Sequence, residues 1–201
     1  MSLHYLRTTL GGLLLSAACL VSVANATLID RGNGMIYDSV QDITWLQDAN
    51  MAGTRMLWDD AVAWAGGLSV GGFNDWRLFN AAPSCVLSSN CTGNELGHLF
   101  YNEFGVTAGS SIYTATGAGL DNLNLFTNVQ NFVYWSGTEY APNTNGAWYF
   151  NTGNGVQNRS LKNYRPYYAW AVRDGDVAAV PAPGTLAMFG LGLLGLVVRR
   201  R

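Results

Sequence analysis

The sequence predicts an α+β domain, with two helices and a mainly antiparallel sheet, occupying residues 27–176. Three observations carry this expectation. Two early segments repeat apolar residues at helical spacing. The later half alternates as strands do, around one strong hairpin signal. Glycine and asparagine account for 18 and 17 of these 150 residues, which calls for many short elements joined by tight turns. A stretch of this size buries on the order of 70 % of its unfolded surface in one core, so a single domain is expected.

Gly34–Asp38 and Ile43–Gln47 read as short strands, the second carrying Trp45. Leu57–Leu68 reads as a helix whose apolar face is Trp58, Ala61, Val62, Ala65 and Leu68. Asp59 and Asp60 fall in its first turn, where the helix dipole favours them. They read as a solvated turn, because neighbours on a helix diverge. Gly71-Gly72 stops the helix, and Phe73–Phe79 leads into a Ser/Asn loop holding Cys85 and Cys91. A second helix fits Asn94–Phe104. Asn94 is its N-cap, Leu96, Leu99, Phe100 and Phe104 line one face, and Gly105 ends it. His98 falls on the polar side, in an exposed or capping role. From Ser111 onward the pattern is β. Ala147–Asn151 and Val156–Leu161 flank the turn Thr152-Gly153-Asn154-Gly155, and Tyr167–Arg173 is the last strand.

The ends are of another kind. Hydrophobic residues make up 49 % of the chain and charged ones 12 %. Residues 1–26 and 177–201 hold 16 and 15 of the hydrophobic residues. The middle is therefore ordinary, which excludes a polytopic membrane protein. Arg7, the apolar run Leu10–Val23 and Ala24-Asn25-Ala26 form a secretory signal peptide, with cleavage between Ala26 and Thr27. At the other end, Pro181-Ala182-Pro183 precedes the short apolar segment Leu186–Val198 and then Arg199, Arg200 and Arg201. The three arginines hold the tail on the cytoplasmic side of a membrane. This order resembles the PEP-CTERM sorting signal of Gram-negative bacteria. Ala182 stands where that family usually has Glu. The resemblance implies transient residence in the inner membrane, cutting by an exosortase-type partner, and release to the cell surface or extracellular matrix. A permanent C-terminal anchor is the alternative.

An exported chain favours a disulfide between Cys85 and Cys91. Seven basic residues face thirteen acidic ones in 27–176, which argues against a nucleic-acid partner.

The segments Asp42-Ile43-Thr44-Trp45-Leu46, Gly71-Gly72-Phe73-Asn74-Asp75-Trp76-Arg77-Leu78, Tyr134-Trp135-Ser136-Gly137-Thr138 and Ala171-Val172-Arg173 resemble, in this order, the Lcl C-terminal domain family. Phe79 and Gly137 depart from its usual Pro and Ser. The resemblance implies a single compact C-type lectin-like domain. It also implies a glycan-binding precedent, since the namesake adhesin's domain binds sulfated glycosaminoglycans.

No enzyme is expected. One histidine remains beyond residue 26, and no nucleophile motif is present. No cofactor or metal is expected either. Neither tripeptide of the calcium-binding lectins occurs, and Ala141-Pro142-Asn143 lacks the acid. Carbohydrate binding is the leading expectation, with acidic or neutral exopolysaccharide as partner. Trp135, Glu139, Tyr140, Asn143, Asn145 and Trp148 combine aromatic faces with hydrogen-bonding groups. Arg159, Lys162 and Arg165 form a basic cluster suited to sulfate or carboxylate. The competing reading makes the tryptophans core and the cations a solvated edge. A structural matrix protein without a discrete ligand is the runner-up, and an enzyme on a lectin-like scaffold comes third. Asp75, Trp76, Arg77 and Arg173 read as structural, with Asp75 and Arg77 ordering the turn that follows.

Overall fold

The computed structural model describes residues 27–177. The expected leader through Ala26, the motif Pro181-Ala182-Pro183, the membrane segment Leu186–Val198 and the arginines 199–201 lie outside the described residues. Among the described residues no helix is long and apolar enough to cross a membrane.

Among the described residues, three α-helices and two sheets make up an α+β domain. Strands β1 (Leu28–Gly32) and β2 (Met35–Asp38) form a hairpin. It turns at Gly32, Asn33 and Gly34, all in the left-handed region. β3 (Ile43–Leu46) follows antiparallel to β2. The helix α1 (Trp58–Gly66) matches the expected segment, although Val62 faces solvent. β4 (Arg77–Leu78) leads into the cysteine loop.

The second expected helix begins as predicted. Asn94 caps it, its Oδ1 accepting from Gly97 N at 2.9 Å. It is α-helical as α2 (Glu95–His98) and then widens into a π turn, Leu99–Glu103. Gly97 is required there, because a Cβ would lie 2.1 Å from the Cys91 carbonyl oxygen. Leu96, Leu99, Phe100 and Phe104 are fully buried, and Gly105 ends the segment at φ 62°.

The expected β pattern from Ser111 is corrected. A 3-10 turn, Ile112–Thr114, and a third helix, α3 (Gly117–Leu123), come first. Two glycines disfavour a helix there by propensity. Packing overrides them: α3 lies so close to the π turn that a Cβ on Gly119 would be 2.2 Å from Phe104 O. The strands then run as β5 (Val133–Glu139), β6 (Gly146–Asn151) and β7 (Val156–Leu161), with the expected hairpin between β6 and β7.

The expected last strand is two strands in different sheets. β8 (Tyr168–Ala169) pairs parallel with β5, and β9 (Ala171–Asp174) pairs antiparallel with β3 and β4. The sheet orders are β1-β2-β3-β9-β4 and β7-β6-β5-β8. Trp170 sits at the crossing, fully buried. Its Nε1 donates to Leu46 O at 2.8 Å, and its ring meets Trp45, Phe126 and Tyr134 at 5.1, 5.2 and 5.7 Å.

Candidate functional site

The β5–β6 connection builds the site. Tyr140 N donates to Gly146 O, and Gly146 N to Asn143 O, each at 2.9 Å. Asn143 Oδ1 accepts from Asn145 N at 3.1 Å, closing the local turn. Asn145 O in turn accepts from Lys162 N at 2.9 Å, fixing the loop to the end of β7. Tyr140 stands edge-on to Trp148 at 5.3 Å, and the Arg159 guanidinium lies 4.4 Å above the Tyr140 ring. A cleft of about 310 Å³ opens there, lined by Tyr140, Asn143, Gly146, Arg159, Ser160 and Leu161.

The candidates separate into three groups. Tyr140, Asn143 and Arg159 share the cleft. Glu139 and Lys162 bind each other in an ion pair, and Lys162 Nζ sits 4.1 Å over the Trp58 ring. Trp135 and Trp148 are buried, so neither offers a face to a ligand. Trp135 Nε1 donates to Met56 O at 3.1 Å. The basic cluster is corrected too. Arg159 stands on β7 directly opposite Trp148 and so joins Trp148 and Tyr140, while Lys162 falls in the turn beyond β7 and joins Trp58. Arg165 is exposed and stacks on its neighbour Tyr164 at 5.0 Å.

Charge pairing singles out Arg159 further. Arg31, Arg77, Lys162 and Arg173 hold carboxylates. Among the described residues Arg55, Arg159 and Arg165 hold none, and each lies on an aromatic ring instead. Of these three, Arg159 lines the cleft beside Tyr140. Leu161 and Ser160, which complete its wall, were missed by sequence reasoning. The alternation of β7 was the signal for Leu161, which shares the Arg159 face.

The motif residues are structural, by a longer reach than a local turn. Arg173 binds the Asp75 carboxylate through Nε at 2.8 Å and Nη2 at 2.9 Å and stacks on Phe73 at 4.2 Å. That guanidinium holds the Asp75 carboxyl below its usual value. Arg77 grips Glu95 with two 2.9 Å bonds and also pairs with Asp174. The motif thus laces β4 to β9 and to α2. The two departures pack without a break: Phe79 is fully buried, and Gly137 N donates to Phe79 O at 2.8 Å.

The disulfide Cys85–Cys91 is formed, with Cα atoms 5.9 Å apart. Gln157, unnoticed in sequence, clamps this loop to β7. Its buried amide donates to Ala82 O at 2.7 Å and Cys85 O at 2.6 Å. Its Oε1 accepts from Ala82 N at 3.0 Å and Asn94 Nδ2 at 2.7 Å.

His98 is not exposed, against expectation. Its side chain retains 12 % exposure and its Nε2 lies 3.3 Å from Glu103 Oε1. The Glu103 carboxylate beside it raises the His98 pKa, and His98 in turn lowers that of Glu103. The π turn creates this pair, since it decides where Glu103 points.

The fold has two small sheets, of which the five-stranded one is tied to α2 and to its own strands by arginine–carboxylate pairs; a cleft with a cation on an aromatic ring lies on the other, and a disulfide closes one loop. The chain belongs to the Lcl C-terminal domain family, whose model matches residues 34–173. A PEP-CTERM protein-sorting motif matches residues 179–201 and supports export to a surface or extracellular location after exosortase-type processing. Comparison with curated proteins and with solved structures finds no match.

Proposed function

We propose that this protein is a non-catalytic, polysaccharide-binding module of a cell surface or extracellular matrix, on a C-type lectin-like scaffold. The observation that carries the reading is the cleft in which Arg159 lies on Tyr140 without a carboxylate partner. A stacked guanidinium is held flat and presents its fork outward. That geometry suits two-point binding of a carboxylate or sulfate. The Tyr140 ring and the Asn143 amide add stacking and hydrogen bonds of the kind sugars use. The sorting motif supports the setting. The non-catalytic part rests on His98, which is engaged with Glu103 and far from free.

The test is affinity electrophoresis and calorimetry on the exported chain, with a polyuronate, a sulfated glycan and a neutral glucan. Saturable binding is expected for the anionic polymers, weakening with salt. Arg159→Ala removes a charge-assisted contact of about 2 kcal/mol, so affinity should fall roughly 30-fold. Absence of binding to all three, or an unchanged Arg159→Ala, ends the proposal.

Two observations favour a second reading, a self-associating matrix component. Val86 and Leu87 stand 50 % and 58 % exposed at the tip of the disulfide loop. A separate depression of about 290 Å³ is lined by Tyr113, Leu120, Phe126 and Val129 without any charge. Concentration-dependent assembly of the exported chain, lost in Leu87→Ser, would favour it over glycan binding.

A further inference from the structure

We propose that the buried Glu103 carboxylate is a binding site for a primary ammonium, and that its ligand is the chain's own N-terminus at Thr27. Glu103 ends the π turn and is 8 % exposed. Its Oε2 accepts a hydrogen bond from Thr27 Oγ1, and Asn122 Nδ2 of α3 approaches the same oxygen at 3.5 Å. Thr27 is held from its other side as well. Its carbonyl accepts from Ser39 N at 2.8 Å and Ser39 Oγ at 3.1 Å. Its position is thus set from both sides, directly before β1.

The α-nitrogen of a threonine is three bonds from its Oγ1, so the two atoms are within about 4 Å of one another. An ammonium at Thr27 therefore lies within Coulombic reach of the Glu103 carboxylate. In the uncut chain this nitrogen is a neutral amide. Cutting between Ala26 and Thr27 turns it into a cation, so removal of the leader places one positive charge beside a buried carboxylate. That charge has a job. The charged partner of Glu103 is otherwise His98, 3.3 Å away, which is a cation only while protonated. Asp38 also faces His98. Its own carboxylate is occupied by Val40 N, Gln41 N and Gln41 Nε2. Asn122 is neutral. An uncompensated buried carboxylate is costly, and an α-ammonium, with an ordinary pKa of about 7.7–8.0, supplies the missing charge where His98 has lost it. Processing would thereby lock the start of β1 onto the π turn and α3.

The proposal rests on the cleavage read from Ala24-Asn25-Ala26, so N-terminal sequencing of the exported chain comes first. A start at any residue but Thr27 overturns it and is told apart from a failure of docking. The α-amino pKa is then read from the pH dependence of reductive methylation. In the wild type it should lie about one unit or more above the ordinary value, since an opposite charge at this range favours the charged form. In Glu103→Gln it should return to the ordinary value. A chain extended by one residue, starting at Ala26, moves the ammonium away and should also titrate ordinarily; it keeps the question open to measurement if Glu103→Gln does not fold. Thr27→Val retains the ammonium and should retain the raised value. N-terminal acetylation should lower the Tm of the wild type and leave that of Glu103→Gln unchanged. An ordinary α-amino pKa in the wild type, or equal effects of acetylation in both chains, overturns the proposal.

Discussion

Arg159, Gln157 and the His98–Glu103 pair carry most of what single side chains do here. Gln157 uses both ends of a fully buried amide, so truncation strands the carbonyls of Ala82 and Cys85 and the Asn94 amide. Each stranded group costs about 1–3 kcal/mol. Gln157→Leu should therefore lower the unfolding free energy by several kcal/mol in urea, while the apolar cleft wall at Leu161 tolerates Leu161→Ala. His98 and Glu103 make stability depend on pH from two directions. The raised His98 pKa contributes fully below the ordinary imidazole value of 6.5 and is lost as pH rises through the folded value. The lowered Glu103 pKa contributes fully above the ordinary value of 4.5 and is lost as pH falls through the folded value. The stability gap between wild type and His98→Gln should accordingly be larger at pH 5.5 than at pH 8.5. An equal gap at both would show that the pair is not charged in the folded chain.

The helices and strands differ in how openly the sequence announces them. α1 and the β6–β7 hairpin were legible because periodicity and turn residues agree there. α3 was not, since Gly117 and Gly119 argue against a helix, and the close approach of Phe104 that selects glycine is a long-range fact. The split of Tyr167–Arg173 into β8 and β9 was equally hidden. Aromatic alternation runs unbroken through it, and only the partners on either side of Trp170 reveal the change of sheet. Trp170→Ala should cost about 3–5 kcal/mol, as for other large-to-small changes in a packed core, and should abolish cooperative unfolding of the two sheets together. The disulfide closes a short loop, so Cys85→Ser with Cys91→Ser should cost only about 2 kcal/mol by loop entropy. A matching fall in Tm under reducing conditions is the check.

The described domain carries little charge, which leaves Asn, Ser, Thr and Gly to face water. Four of its seven basic residues are committed to carboxylates, which leaves little general electrostatic attraction for polyanions. Any glycan affinity must then be local to the Arg159 cleft and should respond to that residue far more than to Lys162→Ala. Mass spectrometry of the released protein should find it shortened before Leu186; a chain intact through Arg201 would mean a retained anchor.

Composition, the C-terminal sorting motif and the ordered family motifs determine the family and the broad α+β class and support export, because each is a local pattern that needs no partner. The candidate site needed more. Residue type alone makes Tyr140, Asn143 and Arg159 candidates, but it makes Trp135 and Trp148 candidates as well, and burial separates them. Which aromatic faces a ligand and which fills the core depends on what packs over it. Which arginine keeps a free fork depends on where the carboxylates fall. Both are set by strand register and sheet order, through contacts between residues far apart in the chain.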